Sequence, residues 1–143
     1  MNQLIDMGKK FKQRDETTHL SIELMDRLFL SQDYRVEVTK KNIQLYSLTC
    51  ALIAGKYDEL DENIPLISEL QRHLSNLLTL NEMAPHFNDV VECERQVMRF
   101  FNWDLMMIMP IHFIKCLLSN GVLFNNEQGA TTDTAKRISH RCM

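Results

Sequence analysis

The sequence predicts an all-α domain built around one buried helix. Residues 42–60, NIQLYSLTCALIAGKYDEL, are apolar on nearly every side of a helix, which is typical of a helix that other helices surround. The 143 residues include only four glycines and three prolines, which favours helices over strands and turns. In the flanking segments, apolar residues recur every three to four positions. These observations predict a helical domain with residues 42–60 at its centre.

Two helices are predicted ahead of the central one. Residues 2–13 predict a first helix with one apolar face. Residues 15–18, DETT, form a junction rich in the side chains that cap helix N-termini. A second helix with a broad apolar face follows to about Leu30. Thr39 is then expected to cap the central helix.

Two more helices are predicted after the central one. Pro65 is expected to be an early residue of the fourth helix, because its fixed φ suits that position. Leu66 and Leu70 are predicted to be among the inward side chains of that helix. Residues 87–101 predict a fifth helix with Phe87 among its inward side chains.

The predicted domain covers residues 1–119 and ends with the start of a further helix. That helix begins at Pro110, and Asn120-Gly121 occupies the position of a helix stop. Residues 120–143 lose the apolar rhythm and are predicted to be a flexible tail.

Composition argues against several classes of protein. The net charge is −3 and no basic stripe with interleaved aromatics is visible, which argues against nucleic-acid binding. The apolar stretches are too short and too interrupted to span a membrane. The cysteines lack CxxC spacing, and Cys50, Cys93 and Cys116 lie in apolar helical patterns, so we expect reduced, buried thiols. With no secretory leader visible, the expected location is the nucleus and/or the cytoplasm.

No pattern predicts an enzyme. The five histidines are scattered without a metal-ligand spacing, and His19 and His112 are predicted to be packed core histidines. No GxSxG elbow, phosphate loop or GxGxxG motif is present. We therefore expect no catalytic residue, no metal, no cofactor and no small-molecule substrate.

Two charged residues lie among residues of core type. Lys56 ends the apolar central helix, and Glu94 follows Cys93 ahead of Val97 and Met98. One interpretation is a surface salt bridge or two independent solvated charges. The apolar flanks favour the other interpretation, in which both charges are buried.

Three stretches in order resemble the cyclin box of cyclins. They are residues 16–31 (ETTHLSIELMDRLFLS), residues 42–60, and residues 90–114 (VVECERQVMRFFNWDLMMIMPIHFI). The resemblance covers Leu4 to Leu118 and implies five helices around a central third helix. The long span between Lys56 and Glu94 is similar to that of the J-type cyclins.

The resemblance implies a regulatory subunit, linked to cell-cycle control, that binds a cyclin-dependent Ser/Thr protein kinase. Lys56 and Glu94 match the cyclin residues that hydrogen-bond to the backbone around the kinase's mobile C-helix. Four further positions match the pocket for an anchoring kinase side chain: Tyr57, Met98, Trp103 and Leu105.

The sequence also departs from the family pattern. The Arg-containing motif of the first cyclin helix is absent. The family's substrate-docking groove pairs a tryptophan of the first helix with a glutamine of the third. Ile43 and Gln44 are candidates for that groove, but Gln3 stands where the tryptophan would be.

Other functions therefore stay open. The main alternative is an incomplete cyclin-fold interaction module that activates no kinase. A transcription factor of cyclin-like fold acting on nucleic acid is disfavoured by the acidic balance, and a helical enzyme comes last.

Overall fold

All regular secondary structure in the described residues is helical. The computed structural model describes residues 2–31, 39–77 and 83–121. Its elements in these ranges are α1 (Asn2–Lys10), α2 (Asp15–Leu30), α3 (Lys40–Asp58), a 3-10 helix (Asp61–Asn63), α4 (Ile67–Leu77), α5 (Phe87–Phe100) and α6 (Pro110–Ser119). No strand occurs in these ranges. The predicted all-α fold class is confirmed.

Helix α3 is the centre of the domain. The Thr39 hydroxyl accepts a hydrogen bond from the Asn42 amide at 3.2 Å, so the predicted cap is present. Every residue from Ser47 to Gly55 is buried. α3 packs against α1, α2, α4 and α5. The prediction of five helices around a central third helix is therefore confirmed.

The core lies where α3 meets α1, α4 and α5. Fully burying one large aliphatic side chain stabilises the fold by roughly 1.5–3 kcal/mol, so this cluster holds the four helices together. Its buried members are Leu4, Met7, Leu48, Ala51, Leu52, Leu70, Leu74 and Val90.

The start of α2 differs from the prediction. Residues 15–18 do not cap the helix; they form its first turn, and Arg14 is the N-cap. The Arg14 side chain makes no capping hydrogen bond. Asp15 and Glu16 suit the first turn because negative charge is favourable at a helix N-terminus. The Arg14 backbone amide finds its acceptor in Glu59, as described below.

Two residues at helix starts were wrongly predicted to point inward. Leu66 is 64% exposed, because α4 begins one residue later, at Ile67. Phe87 is exposed although it is the first residue of α5. The Cα–Cβ bond of a helical residue tilts toward the N-terminus, so a side chain in the first position leans past the end of the helix. Leu70 is buried as predicted.

The structure also corrects three polar assignments. His19 and His112 are exposed and are not packed core histidines. His112 Nδ1 instead accepts a hydrogen bond from the Met109 amide at 3.2 Å, at the start of α6. Cys50 and Cys93 are buried as predicted, whereas Cys116 is exposed.

The chain divides into two units, Met1–Met107 and Ile108–Met143. In the second unit, α6 begins at Pro110 and is followed by Gly121 with φ +79°, the left-handed conformation of a helix stop. Both ends agree with the sequence. Residues 122–143 lie outside the described residues, so the predicted tail and the 1–119 domain boundary stay predictions.

Candidate functional site

Lys56 and Glu94 form an ion pair between α3 and α5. Lys56 lies in the last turn of α3, and its Nζ donates to Glu94 Oε1 at 2.6 Å. The side chains keep 48% and 21% of their surface exposed. Such a half-exposed pair adds little to stability, on the order of 0.2–1 kcal/mol, because solvent screens it. The pair therefore fixes the orientation of two charges more than it stabilises the fold.

A surface cavity of about 470 Å³ opens beside this ion pair. The six residues for which the resemblance implied kinase contacts all contribute to its lining. The lining consists of Ile53, Lys56, Tyr57, Val91, Glu94, Arg95, Met98, Trp103 and Leu105.

Three lining residues were missed by the sequence analysis. Ile53 precedes Lys56 by three positions, and Val91 precedes Glu94 by three. Residues three apart share a helix face, so this spacing could have identified both. Arg95 follows Glu94 directly and forms an ion pair with Glu92, with Nη1 at 2.9 Å from Oε2. Nothing in the spacing alone distinguishes Arg95 from an ordinary solvated arginine.

The cavity combines a buried apolar residue with exposed aromatic side chains. Leu105 is buried, whereas Tyr57 is half exposed and Trp103 is 67% exposed. Exposed Tyr and Trp side chains next to a pocket are the residues that most often carry binding energy in protein interfaces. The arrangement is suited to receiving one apolar side chain between charged hydrogen-bonding groups.

A strained turn after α5 carries the exposed tryptophan. Asn102 and Trp103 have φ of +51° and +61°, in the left-handed region. The Trp103 amide donates to the Met98 carbonyl at 2.8 Å, which closes the end of the helix. Glycine is the usual residue at such a position, and another residue there costs on the order of 1–3 kcal/mol. The turn brings Trp103 and Leu105 to the same cavity.

Comparison with known proteins identifies the family. The family model described as "Cyclin, N-terminal domain" matches residues 1–106. The chain belongs to the cyclin family. The matched span contains every residue of the cavity.

Individual cyclins are similar at modest identity. Cyclin-J of Xenopus laevis is 26% identical over 116 residues, which cover 81% of this chain and 29% of that protein. Cyclin-J of Homo sapiens is 26% identical over 116 residues, with 81% and 30% covered. Cyclin-B2-2 of Oryza sativa subsp. indica is 28% identical over 115 residues, with 80% and 24% covered. The chain thus spans less than a third of these curated relatives, and no solved structure gives a significant match.

The predicted substrate-docking pair lies apart from the cavity of this cyclin domain. Ile43 and Gln44 are in the first turns of α3 and do not line the cavity. Gln44 is only 4% exposed, and Ile43 is half-buried. A role of these residues in docking stays a prediction.

The buried thiols of the cyclin domain are not nucleophiles. Burial raises the pKa of the Cys50 thiol, and the neighbouring Cys93 raises it further. Burial also raises the pKa of Cys93, against the opposing effect of a hydrogen bond with Thr49. A thiol with a raised pKa stays protonated and unreactive near neutral pH.

The described ranges contain neither a candidate metal site nor a candidate membrane span. No group of three or more His, Cys, Asp or Glu residues there could hold a metal ion. Likewise, none of the helices described is both long and apolar enough to cross a membrane.

Proposed function

We propose that this cyclin-family chain binds a cyclin-dependent Ser/Thr protein kinase and positions its C-helix as a regulatory subunit, in a role linked to cell-cycle control. One observation carries the proposal. The residues to which the resemblance gave kinase contacts come from α3, α5 and the turn that follows α5, yet they line one cavity. Lys56 and Glu94 also lie in hydrogen-bonding contact beside it.

The ion pair supplies charged groups for the kinase backbone. A lysine ammonium carries three donors, and the contact with Glu94 uses one of them. A carboxylate likewise accepts several hydrogen bonds, so Glu94 can accept from a partner while it holds Lys56. Charge-assisted hydrogen bonds of this kind are about twice as strong as neutral ones.

The cavity supplies the apolar part of the contact. A volume of about 470 Å³ holds a large aliphatic side chain. Burying such a side chain stabilises a complex by roughly 1.5–3 kcal/mol before the cost of association. Met98 and Leu105 would contact it, with the Trp103 ring covering it.

The regulatory effect follows from differential binding. An active kinase needs an ion pair between a lysine of its β3 strand and a glutamate of its C-helix. A chain that binds the C-helix in that arrangement better than in others shifts the kinase population toward it. No chemistry by this chain is required.

The test uses purified cyclin-dependent kinases and the double variant Lys56→Ala plus Glu94→Ala. Each lost partner leaves kinase groups unpaired at about 1–3 kcal/mol, so each substitution is expected to weaken binding roughly 5- to 140-fold. The matched control is Glu23→Ala plus Arg27→Ala, which removes an exposed ion pair of α2 whose Nε–Oε1 distance is 2.7 Å. The control should bind like wild type, and circular dichroism checks that every variant is folded.

The same complexes are assayed for phosphate transfer to a peptide substrate. Binding with activation supports the proposal in full. Binding that depends on Lys56 and Glu94 but leaves the kinase inactive supports the alternative, an interaction module of the cyclin fold. If the wild-type chain binds none of the purified cyclin-dependent kinases, the proposal is wrong.

The location in the nucleus and/or the cytoplasm is part of the same proposal, because the proposed kinase partner acts there. A fluorescent fusion of the chain tests it directly. A secreted or membrane-bound fusion would contradict it.

A further inference from the structure

The end of α3 is fastened to the start of α2 by a group of four residues, which we call the α2–α3 clamp: Arg14, Thr17, Asp58 and Glu59. Asp58 and Glu59 follow Lys56 and Tyr57 directly in the chain. None of the four clamp residues lines the cavity.

Glu59 is the most buried charged member of the clamp. Its side chain is 3% exposed. Oε1 accepts hydrogen bonds from the Arg14 backbone amide at 2.7 Å and from the Thr17 hydroxyl at 2.6 Å. Arg14 Nε lies 3.9 Å from Oε2. The carboxylate of the α3 C-cap residue thus accepts from the backbone amide of the α2 N-cap residue, close to a helix N-terminus, whose dipole favours negative charge.

Asp58 strengthens the same connection. Its Oδ1 pairs with Arg14 Nη2 at 3.0 Å, and its Oδ2 lies 2.9 Å from the Thr17 hydroxyl. The Arg14 guanidinium also donates to the Asp58 carbonyl oxygen, one of the acceptors left unpaired at the end of a helix. Thr17 is fully buried, so solvent does not compete for its hydroxyl.

The clamp holds the last turn of α3, which contains Lys56 and Tyr57, against the start of α2. The Glu59 amide donates to the Gly55 carbonyl at 3.0 Å, and this last helical hydrogen bond spans Lys56 and Tyr57. Helix ends fray unless they are held, and the side chain of Glu59 holds this one to α2. A binding side chain whose supporting residues are already fixed loses less conformational entropy when the partner binds, so it binds more tightly.

We infer that Glu59, with Arg14 and Thr17, is a positioning residue that fixes Lys56 and Tyr57 for the partner. The inference rests on the proposed function, because its consequence is kinase affinity. It adds α2 to the helices on which the binding site depends, although α2 contributes no lining residue to the cavity.

The experiment measures affinity for the cyclin-dependent kinase that binds wild type, with Glu59→Ala and Glu59→Gln. Glu59→Ala is expected to weaken binding about 5- to 30-fold. Glu59→Gln keeps an acceptor oxygen for the Arg14 amide and should recover most of the affinity. The matched control is Glu62→Ala, which removes an exposed carboxylate three positions further along. Measurements are made at a temperature at which thermal unfolding shows every variant to be folded.

A second arm separates positioning from general stability. If Glu59 acts through Lys56, the effect of Glu59→Ala on affinity must shrink at least threefold when Lys56→Ala is already present. Fully additive effects, or a lower melting temperature with unchanged affinity, would overturn the inference. If Lys56→Ala weakens binding and Glu59→Ala does not, the proposed function survives without the clamp. If wild type binds no kinase, the proposed function fails and the inference falls with it.

Discussion

Gly8 marks the closest approach of α1 to α2, and its replacement by alanine tests that packing. A Cβ atom built on Gly8 would overlap the Thr18 hydroxyl and lie 3.2 Å from both Thr18 Cβ and Cγ2. Gly8 is buried, so the added methyl group has no free space nearby. Thr18 is β-branched, and its hydroxyl donates to the Arg14 carbonyl at 3.3 Å. The added methyl group therefore requires the Thr18 side chain to rotate out of its hydrogen bond or one of the two helices to move.

The expected magnitude is a difference of two effects. Alanine is favoured over glycine inside a helix by about 0.5–1 kcal/mol. Overpacking a core site costs about 1–3 kcal/mol, and direct overlap with a hydroxyl belongs to the upper part of that range. Gly8→Ala should therefore lower the free energy of unfolding by about 1–2 kcal/mol. For a chain of this size the melting temperature should fall by roughly 3–6 °C for each kcal/mol.

Urea unfolding followed by circular dichroism measures the effect, with Thr18→Ala as the partner variant. Thr18→Ala removes Oγ1 and Cγ2, the atoms that the new methyl group meets besides Cβ. The double variant should recover most of the loss, with a coupling of about 1 kcal/mol or more. A Gly8→Ala variant as stable as wild type, or a double variant no better than the single one, would refute the close approach of the two helices.

Two further predictions concern the core. Leu70 is fully buried, so Leu70→Ala should lower the free energy of unfolding, measured in urea, by about 2–5 kcal/mol. Leu66 lies four residues earlier and is mostly exposed, so Leu66→Ala should change it by no more than about 0.5 kcal/mol. Equal effects of the two substitutions would contradict the corrected start of α4. Because burial raises the pKa of Cys50 and Cys93, the folded chain keeps these thiols protonated at pH values where the unfolded chain ionises them. The free energy of unfolding should therefore fall above about pH 8.5, by up to about 1.4 kcal/mol per pH unit for each thiol, and urea titrations from pH 7.5 to 9.5 should show a smaller slope for Cys50→Ala than for wild type.

Structural features that depend only on residues close together in the sequence were predicted correctly. The burial of α3 could be predicted because apolar and small residues occupy nearly every side of residues 43–54. Thr39 directly precedes α3 and caps its N-terminus, as its residue type suggests. Local pattern is sufficient for these two features. The contact between Lys56 and Glu94 was not predicted: the apolar flanks favoured buried charges over a surface salt bridge, whereas the structure shows a part-exposed ion pair with Lys56 Nζ 2.6 Å from Glu94 Oε1.

Features that depend on distant contacts were not predicted. The backbone amide of Arg14, the N-cap residue of α2, donates to Glu59, which is 45 positions away, so the local capping residues at 15–18 were misleading. The left-handed turn at Asn102 and Trp103 contains no glycine, and no local rule places a tryptophan there. Leu66 fits the helical period of Leu70, but the chain is not yet helical at that residue.

The left-handed backbone of Trp103 lowers the stability of the fold, while its side chain supplies a ring at the cavity. A glycine at position 103 would adopt the same backbone without the steric cost, so an unselective search for more stable variants would favour it. The same replacement would delete the largest exposed ring at the cavity. Engineering that selects variants of this chain by melting temperature alone would therefore remove part of the proposed binding surface, and position 103 should be held fixed.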